Sequence, residues 1–197
     1  MNSFVFRSVV FIVLILTFGI SASFRKRARV DGGTIQRQEE GWPILVLRIG
    51  FAIPLLIVIL LNIFWPGPLT WAKFDPPAWL RYVGLALAIL CVPLIWWVFT
   101  SIGKNISETV LIKDGHELVT HGPYTWVRHP LYGGALVLLL SISLVFGDYI
   151  ILGYTLAGIL AFRLLVIPAE EKQLLAAFGE EYECYQSRTG ALLPWIR

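Results

Sequence analysis

HELVTHGPYTWVRHPLY, residues 116–132, is a polar segment set between long apolar runs, and it holds all three histidines of the 197-residue chain. If the runs on either side cross a membrane, this segment is a loop that gathers the ionisable chemistry on one face of the bilayer. The totals favour that reading. The chain is 57% hydrophobic with a mean hydropathy of +0.72, and 15% charged, against about 25% in an ordinary soluble domain. Lipid must be the solvent for much of that apolar surface. Cys91 and Cys184 form neither a disulfide framework nor a metal-ligand spacing. The histidines lack a CxxC or HExxH context, so no metal site is expected. A net charge of +3 is too small to argue for nucleic-acid binding.

Five spans follow from the apolar runs. The first, Val9 to Ser23, ends against Arg25, Lys26, Arg27 and Arg29. A cleaved signal peptide is the rival reading, but such a basic cluster directly after the run marks a cytoplasmic stop. The second runs from Trp42 to Trp65, with a kink expected at Pro54 and Arg48 snorkelling to the near interface. The third, Trp79 to Phe99, follows the proline-rich loop Pro66–Pro77 and bends at Pro93. A polar stretch from Thr100 to Pro130 comes next, with a short extended piece at Val110–Ile112. Leu131 to Phe146 is the fourth span. The turn Gly147-Asp148 joins it to the fifth, Tyr149 to Ile167, as a tight antiparallel hairpin. Gly153, Ala157 and Ala161 would let a neighbouring helix approach. Pro168 closes the fifth span, and an amphipathic helix from Ala169 to Ser187, broken at Gly179, follows. Residues 1–99 thus hold three N-terminal transmembrane helices and their loops, and residues 100–197 the catalytic part.

Charge sets the orientation. With the N-terminus outside, eleven lysines and arginines fall on inner segments, Lys104, Lys113, Arg128, Lys172 and Arg188 among them. The outer side holds only Arg7, Lys73 and Arg81. The expectation is an all-α integral membrane protein of five transmembrane helices, with a cytoplasmic pocket built by its C-terminal half. Because the hairpin turn is short, Arg128-His129 and Glu170-Glu171 come to the same end of one helix pair. Each has a bland reading, as an interfacial anchor and as acids at a helix start. Together they suggest a pocket for a polar cofactor.

The order His116-Glu117-Leu118-Val119, Gly122-Pro123-Tyr124, Arg128-His129-Pro130-Leu131-Tyr132, Glu170-Glu171, Phe178-Gly179-Glu180-Glu181-Tyr182 and Pro194 resembles the isoprenylcysteine carboxyl methyltransferase family, which is related to the membrane phospholipid N-methyltransferases. The resemblance covers about half of the chain, from Gly103 to Pro194. It implies S-adenosylmethionine in a pocket open to the cytosol and a lipophilic methyl acceptor entering from the lipid bilayer. The implied cofactor contacts are His116, Glu117, Leu118, Val119, Tyr124, His129, Pro130, Leu131, Tyr132 and Glu170. Prenylcysteine methyltransferases tend to carry an arginine one turn before that glutamate, where this chain has Val166. Arg163, two turns before Glu170, is the candidate acceptor-binding group, since seven residues nearly complete two helical turns.

For the chemistry, Arg128, His129 and Glu171 are the candidate catalytic groups. A carboxylate acceptor needs no general base, whereas an amine or thiol would use His129 or Glu171 to accept its proton. The expected function is O-methylation of a lipid-linked carboxylate such as a prenylcysteine. N-methylation of a phospholipid or amine and S-methylation of a small thiol are open within the same chemistry. An NADPH-dependent sterol-type reductase and a non-catalytic membrane protein are the rivals from other classes.

Overall fold

The computed structural model describes residues 3–32, 42–103 and 117–194. His116 and the expected extended piece at Val110–Ile112 lie outside them. Among the described residues the chain is helical, and two isolated bridges are its only strand-like pairings. The helices are α1 (Ser3–Gly32), α2 (Trp42–Phe64), α3 (Ala78–Ile102), α4 (Pro130–Phe146), α5 (Tyr149–Ala161), α6 (Ile167–Phe178) and α7 (Glu180–Arg188). These apolar runs are helical because a backbone in hydrocarbon must satisfy its own hydrogen bonds. Three helical segments are long and apolar enough to cross a membrane: Ser3–Ala28, Ala78–Ile102 and Tyr149–Phe178. Gly50–Phe64 and Pro130–Phe146 are shorter apolar helices. Pro54 and Pro93 sit inside α2 and α3 without ending them.

Helix α3 is the central element, packing chiefly against α4 and α1, while α4 packs on α5. Val10, Ala88, Cys91, Phe99, Ile142 and Val145 are buried between these helices. Small residues set the spacing: a Cβ on Gly84 would stand 2.9 Å from the Ser141 carbonyl oxygen. On the opposite faces Phe18, Leu90, Leu160 and Leu164 point outward, each at least 60% exposed. That is the inside-out distribution expected where lipid, not water, covers the surface.

Two helices depart from the sequence reading. The first runs on through the basic cluster to Gly32. The fifth does not end at Pro168. A π turn, Phe162–Val166, joins α5 to α6, and the Ile167 amide donates to the Phe162 carbonyl. Pro168 falls in the first turn after it. A proline lacks the amide and crowds the preceding turn, and a wide turn just upstream gives its ring room. One nearly continuous helix therefore carries Glu170 and Glu171 past the apolar part, so the acids do not open a new helix. The break at Gly179, between α6 and α7, is as expected.

At the other end of the hairpin, Gly147 adopts φ +58, and a Cβ there would strike the Phe74 carbonyl. Only glycine fits that turn. Asp148 caps α5 by accepting from the Ile150 and Ile151 amides at 2.9 and 3.0 Å. Its second oxygen accepts from Asn62 of α2 at 2.9 Å and from Lys73 at 3.1 Å. Lys73 also donates to Asn62 Oδ1, and the Phe74 amide to the Gly147 carbonyl at 2.8 Å. Burial lowers the Lys73 ammonium from its ordinary value, and its hydrogen bond to Asp148 and the charge of that carboxylate oppose the shift. This buried polar knot ties α2, the loop before α3 and the α4–α5 turn together.

Candidate active site

The site begins where the chain enters α4. Pro130 takes the first helical position, where a missing amide costs nothing. The residue before a proline is pushed out of the helical region, and His129 is accordingly non-helical, with φ −123 and ψ 60. Arg128 and His129 thus stand at a corner. Their backbone amides are paired from far along the chain, Arg128 donating to the Gly190 carbonyl at 2.9 Å and His129 to the Ala191 carbonyl at 3.0 Å. Val127 and Gly190 form a parallel bridge. Residues 189–191 therefore act as a strap across the corner.

Upstream of the corner, a 3₁₀ turn spans Gly122–Thr125. Gly122 has φ +63, and a Cβ would strike the Ser101 hydroxyl at the end of α3. Trp97 and Trp126 meet edge to face at 5.6 Å across the same contact. Glu117 is exposed and Leu118 and Val119 are half-buried in the irregular chain leading to that turn. Tyr124 is buried, and its carbonyl accepts from the Tyr185 hydroxyl at 2.8 Å. Leu131 packs against the apolar core. His121 is exposed.

Five of the expected residues converge. Arg128 Nε donates to Glu171 Oε1 at 2.7 Å, and His129 Nε2 lies 3.2 Å from the same oxygen. The other ring nitrogen of His129 lies 3.5 Å from Glu170 Oε2. Tyr132 donates to that Glu170 oxygen at 2.9 Å. The rings form a parallel stack: His129 on Tyr132 at 5.6 Å, and Tyr132 on Phe162 at 4.5 Å. Phe162 is the first residue of the π turn, so that turn supplies one end of the stack.

Several participants were not assigned a role from sequence. Gln186 donates to Glu171 Oε2 at 3.0 Å. Arg128 Nη1 donates to the Gln186 carbonyl at 3.2 Å and to the Thr189 carbonyl. Tyr182 and Tyr185 of α7 are also buried. The available signal was position: Gln186 follows Tyr182 by one turn and shares its helix face. Burial pushes the phenols of Tyr124, Tyr182 and Tyr185 above their ordinary value. The Glu170 charge adds to this at Tyr124, and the Glu171 charge at Tyr182 and Tyr185. All three are neutral hydroxyls at physiological pH.

Arg163 lies within the π turn and is exposed on the outside of the chain. The expectation that it shares a helix face with Glu170 assumed regular turns. A π turn takes more than four residues per turn, so seven residues no longer complete two turns there. Val166 is half-buried.

The cluster lies inside the part of the chain that matches known proteins. Residues 84–176 match the isoprenylcysteine carboxyl methyltransferase family. The protein-S-isoprenylcysteine O-methyltransferase of Tribolium castaneum is 34% identical over 121 residues, 60% of this chain and 43% of that protein. The uncharacterized protein YpbQ of Bacillus subtilis is 30% identical over 120 residues, 60% of this chain and 64% of that one. Among solved structures, the eukaryotic intramembrane Ras methyltransferase, an isoprenylcysteine carboxyl methyltransferase, superposes with a TM-score of 0.55 at 28% identity. That match covers 83% of this chain and 55% of the other. The chain therefore spans less than two thirds of the length of these relatives. The motif resemblance is borne out, and the chain is a helical, multi-pass integral membrane protein.

Proposed function

We propose that this chain, similar to the isoprenylcysteine carboxyl methyltransferase family through its hairpin and acidic pair, is an integral membrane methyltransferase using S-adenosylmethionine. Its five apolar helices all cross the bilayer in this reading, and the site faces the cytoplasm with the N-terminus outside. One observation carries the proposal. Arg128, His129, Tyr132, Glu170 and Glu171, up to 43 residues apart, close into one hydrogen-bonded cluster within the matched segment.

The side chains fit such a cofactor. Glu170 is partly exposed and has one carboxylate oxygen outside its bond to Tyr132, suited to accept from ribose hydroxyls or an amino group. The stacked aromatic rings and two carboxylates make a negative, polarisable surface suited to a sulfonium cation. When bound, the cofactor supplies a methyl group already activated for in-line transfer. The chain's own contribution is alignment and exclusion of water. Arg128 and Gln186 hold Glu171, Glu171 and Glu170 fix the His129 ring, and the strap at 189–191 fixes the corner that bears them.

The acceptor in this reading is a lipid-linked carboxylate such as a prenylcysteine, which attacks without prior loss of a proton. Arg163, exposed at the π turn rather than on the Glu170 face, is assigned to acceptor orientation from the lipid side. Val166, in place of the arginine that the resemblance implies, favours amine N-methylation as the second reading, with His129 or Glu171 as base.

Calorimetry on the detergent-purified chain is expected to show binding of S-adenosylhomocysteine, and binding of NADPH instead would favour a reductase. Glu170→Gln takes a charge from the cluster, His129→Ala takes both carboxylate contacts and a ring of the stack, and each is expected to weaken binding about tenfold or more. Wild-type affinity in both variants would place the cofactor elsewhere. Membranes incubated with methyl-labelled cofactor identify the acceptor: a base-labile label marks an ester, a base-stable one an amine or thioether.

A further inference from the structure

Tyr182 is the largest fully buried side chain among the described residues, 1% exposed. Its hydroxyl is also the sole buried side-chain polar atom among them without a hydrogen-bond partner. The contrast within the fold is sharp. Asn62, Ser141, Asp148, Thr155 and Thr189 are also buried, and each makes its bonds. On the same helix, Tyr185 donates to the Tyr124 carbonyl. A buried hydroxyl without a partner is costly, and phenylalanine would fill the same space without that cost. The hydroxyl therefore has a purpose beyond packing.

Its surroundings say which kind. Tyr182 precedes Gln186 by one turn of α7, and Gln186 donates to Glu171 while its carbonyl accepts from Arg128, so Tyr182 lies on the helix face turned to the cluster. Both oxygens of Glu171 already accept, from Arg128 and His129 on one side and from Gln186 on the other. The bonds of the Arg128 guanidinium run from Nε and Nη1, and Nη2 makes none of them. A phenol donor and an uncommitted guanidinium edge in one cluster are suited to receive an anionic oxygen.

We propose that the Tyr182 hydroxyl, together with Arg128 Nη2, binds a carboxylate of the ligand. This rests on the methyltransferase reading above. Two molecules in that reaction carry a carboxylate: the methyl donor, at its amino-acid end, and the acceptor. The test uses the full chain in detergent, as wild type, Tyr182→Phe and Tyr185→Phe. Affinities are measured for S-adenosylhomocysteine and for methylthioadenosine, which lacks the amino-acid carboxylate, and melting temperatures are measured without ligand. Tyr182→Phe is expected to melt no lower than wild type, because it removes only an unpaired group. Tyr185→Phe is expected to melt lower, because it strands the Tyr124 carbonyl.

If the carboxylate is the donor's, Tyr182→Phe weakens S-adenosylhomocysteine about tenfold and leaves methylthioadenosine unchanged. If it is the acceptor's, both nucleosides bind as in wild type and the KM for a carboxylate acceptor rises by a similar factor. The proposal is overturned if neither changes. It is also overturned if Tyr182→Phe loses melting temperature as Tyr185→Phe does while ligand affinity holds, which is the signature of a resident water on the hydroxyl. A wild-type chain that binds neither nucleoside overturns instead the methyltransferase reading on which the proposal stands.

Discussion

Replacing Asp148 by asparagine tests whether the knot beneath the hairpin holds the helices together. The carboxylate is fully buried and accepts four hydrogen bonds. Asparagine keeps one oxygen for the Ile150 and Ile151 amides, so the cap on α5 survives. The second oxygen becomes an amide that faces two donors, Asn62 and Lys73. Lys73 has a quarter of its side chain exposed and loses its counter-ion. Breaking one half of a buried pair costs about 3–5 kcal/mol; partial exposure of the lysine puts this case at about 3 kcal/mol after allowing for solvent screening. For a chain of this size that lowers the melting temperature by roughly 6–12 °C.

The assay is thermal unfolding in a mild detergent, run as a double-mutant cycle with Lys73→Met. Removing both partners is expected to restore part of the loss, with a coupling of about 2 kcal/mol. Below the transition, affinity for S-adenosylhomocysteine should stay within twofold of wild type, because the knot is at the opposite end of the hairpin from the cluster. A Tm for Asp148→Asn within about 2 °C of wild type, or a cycle that is simply additive, would refute the reasoning.

Two further outcomes are expected. Gly147→Ala forces a side chain into a left-handed turn against the Phe74 carbonyl, and should cost about 1–3 kcal/mol; stability equal to wild type in the same unfolding assay would count against the turn as described. The phenols of Tyr124, Tyr182 and Tyr185 are raised in the folded chain, so above about pH 10, the unfolded value, the unfolded state binds fewer protons than the folded one. The stability they contribute is complete below that pH and is lost as the pH rises further. Absorbance at 295 nm should show these three ionising together with loss of helicity, and early ionisation of all three in the folded protein would contradict their burial.

Much of the architecture was legible because lipid imposes simple rules. A run from Trp42 or Leu131 to the next polar break is a helix because hydrocarbon allows little else, and Gly147-Asp148 is too short to be anything but a turn. The convergence of Arg128-His129 on Glu170-Glu171 followed from that geometry. What was hidden depends on pairings between distant residues, which leave no periodic mark. Pro168 reads as a stop, and only the fold shows that a π turn lets the helix continue. Lys73 reads as a loop charge until Asn62 and Asp148 are found facing it. Asn62 carried a clue, since an amide within an apolar span needs a partner. Gln186 and Thr189 act through Arg128 from some sixty residues away, and nothing nearby in the chain announces it.

The strap at residues 189–191 also fixes an order of events during biosynthesis. Helices α4 and α5 and the acids of α6 leave the ribosome well before Gly190 and Ala191 do, and domains assemble from the N-terminal side as they emerge. During that interval the Arg128 and His129 amides have no carbonyls to meet, and the Arg128 guanidinium lacks two of its three acceptor groups. The corner cannot take its final form on a nascent chain that stops short of Ala191. A membrane holding such partial chains would contain the helices without the closed corner, which residues 189–191 complete.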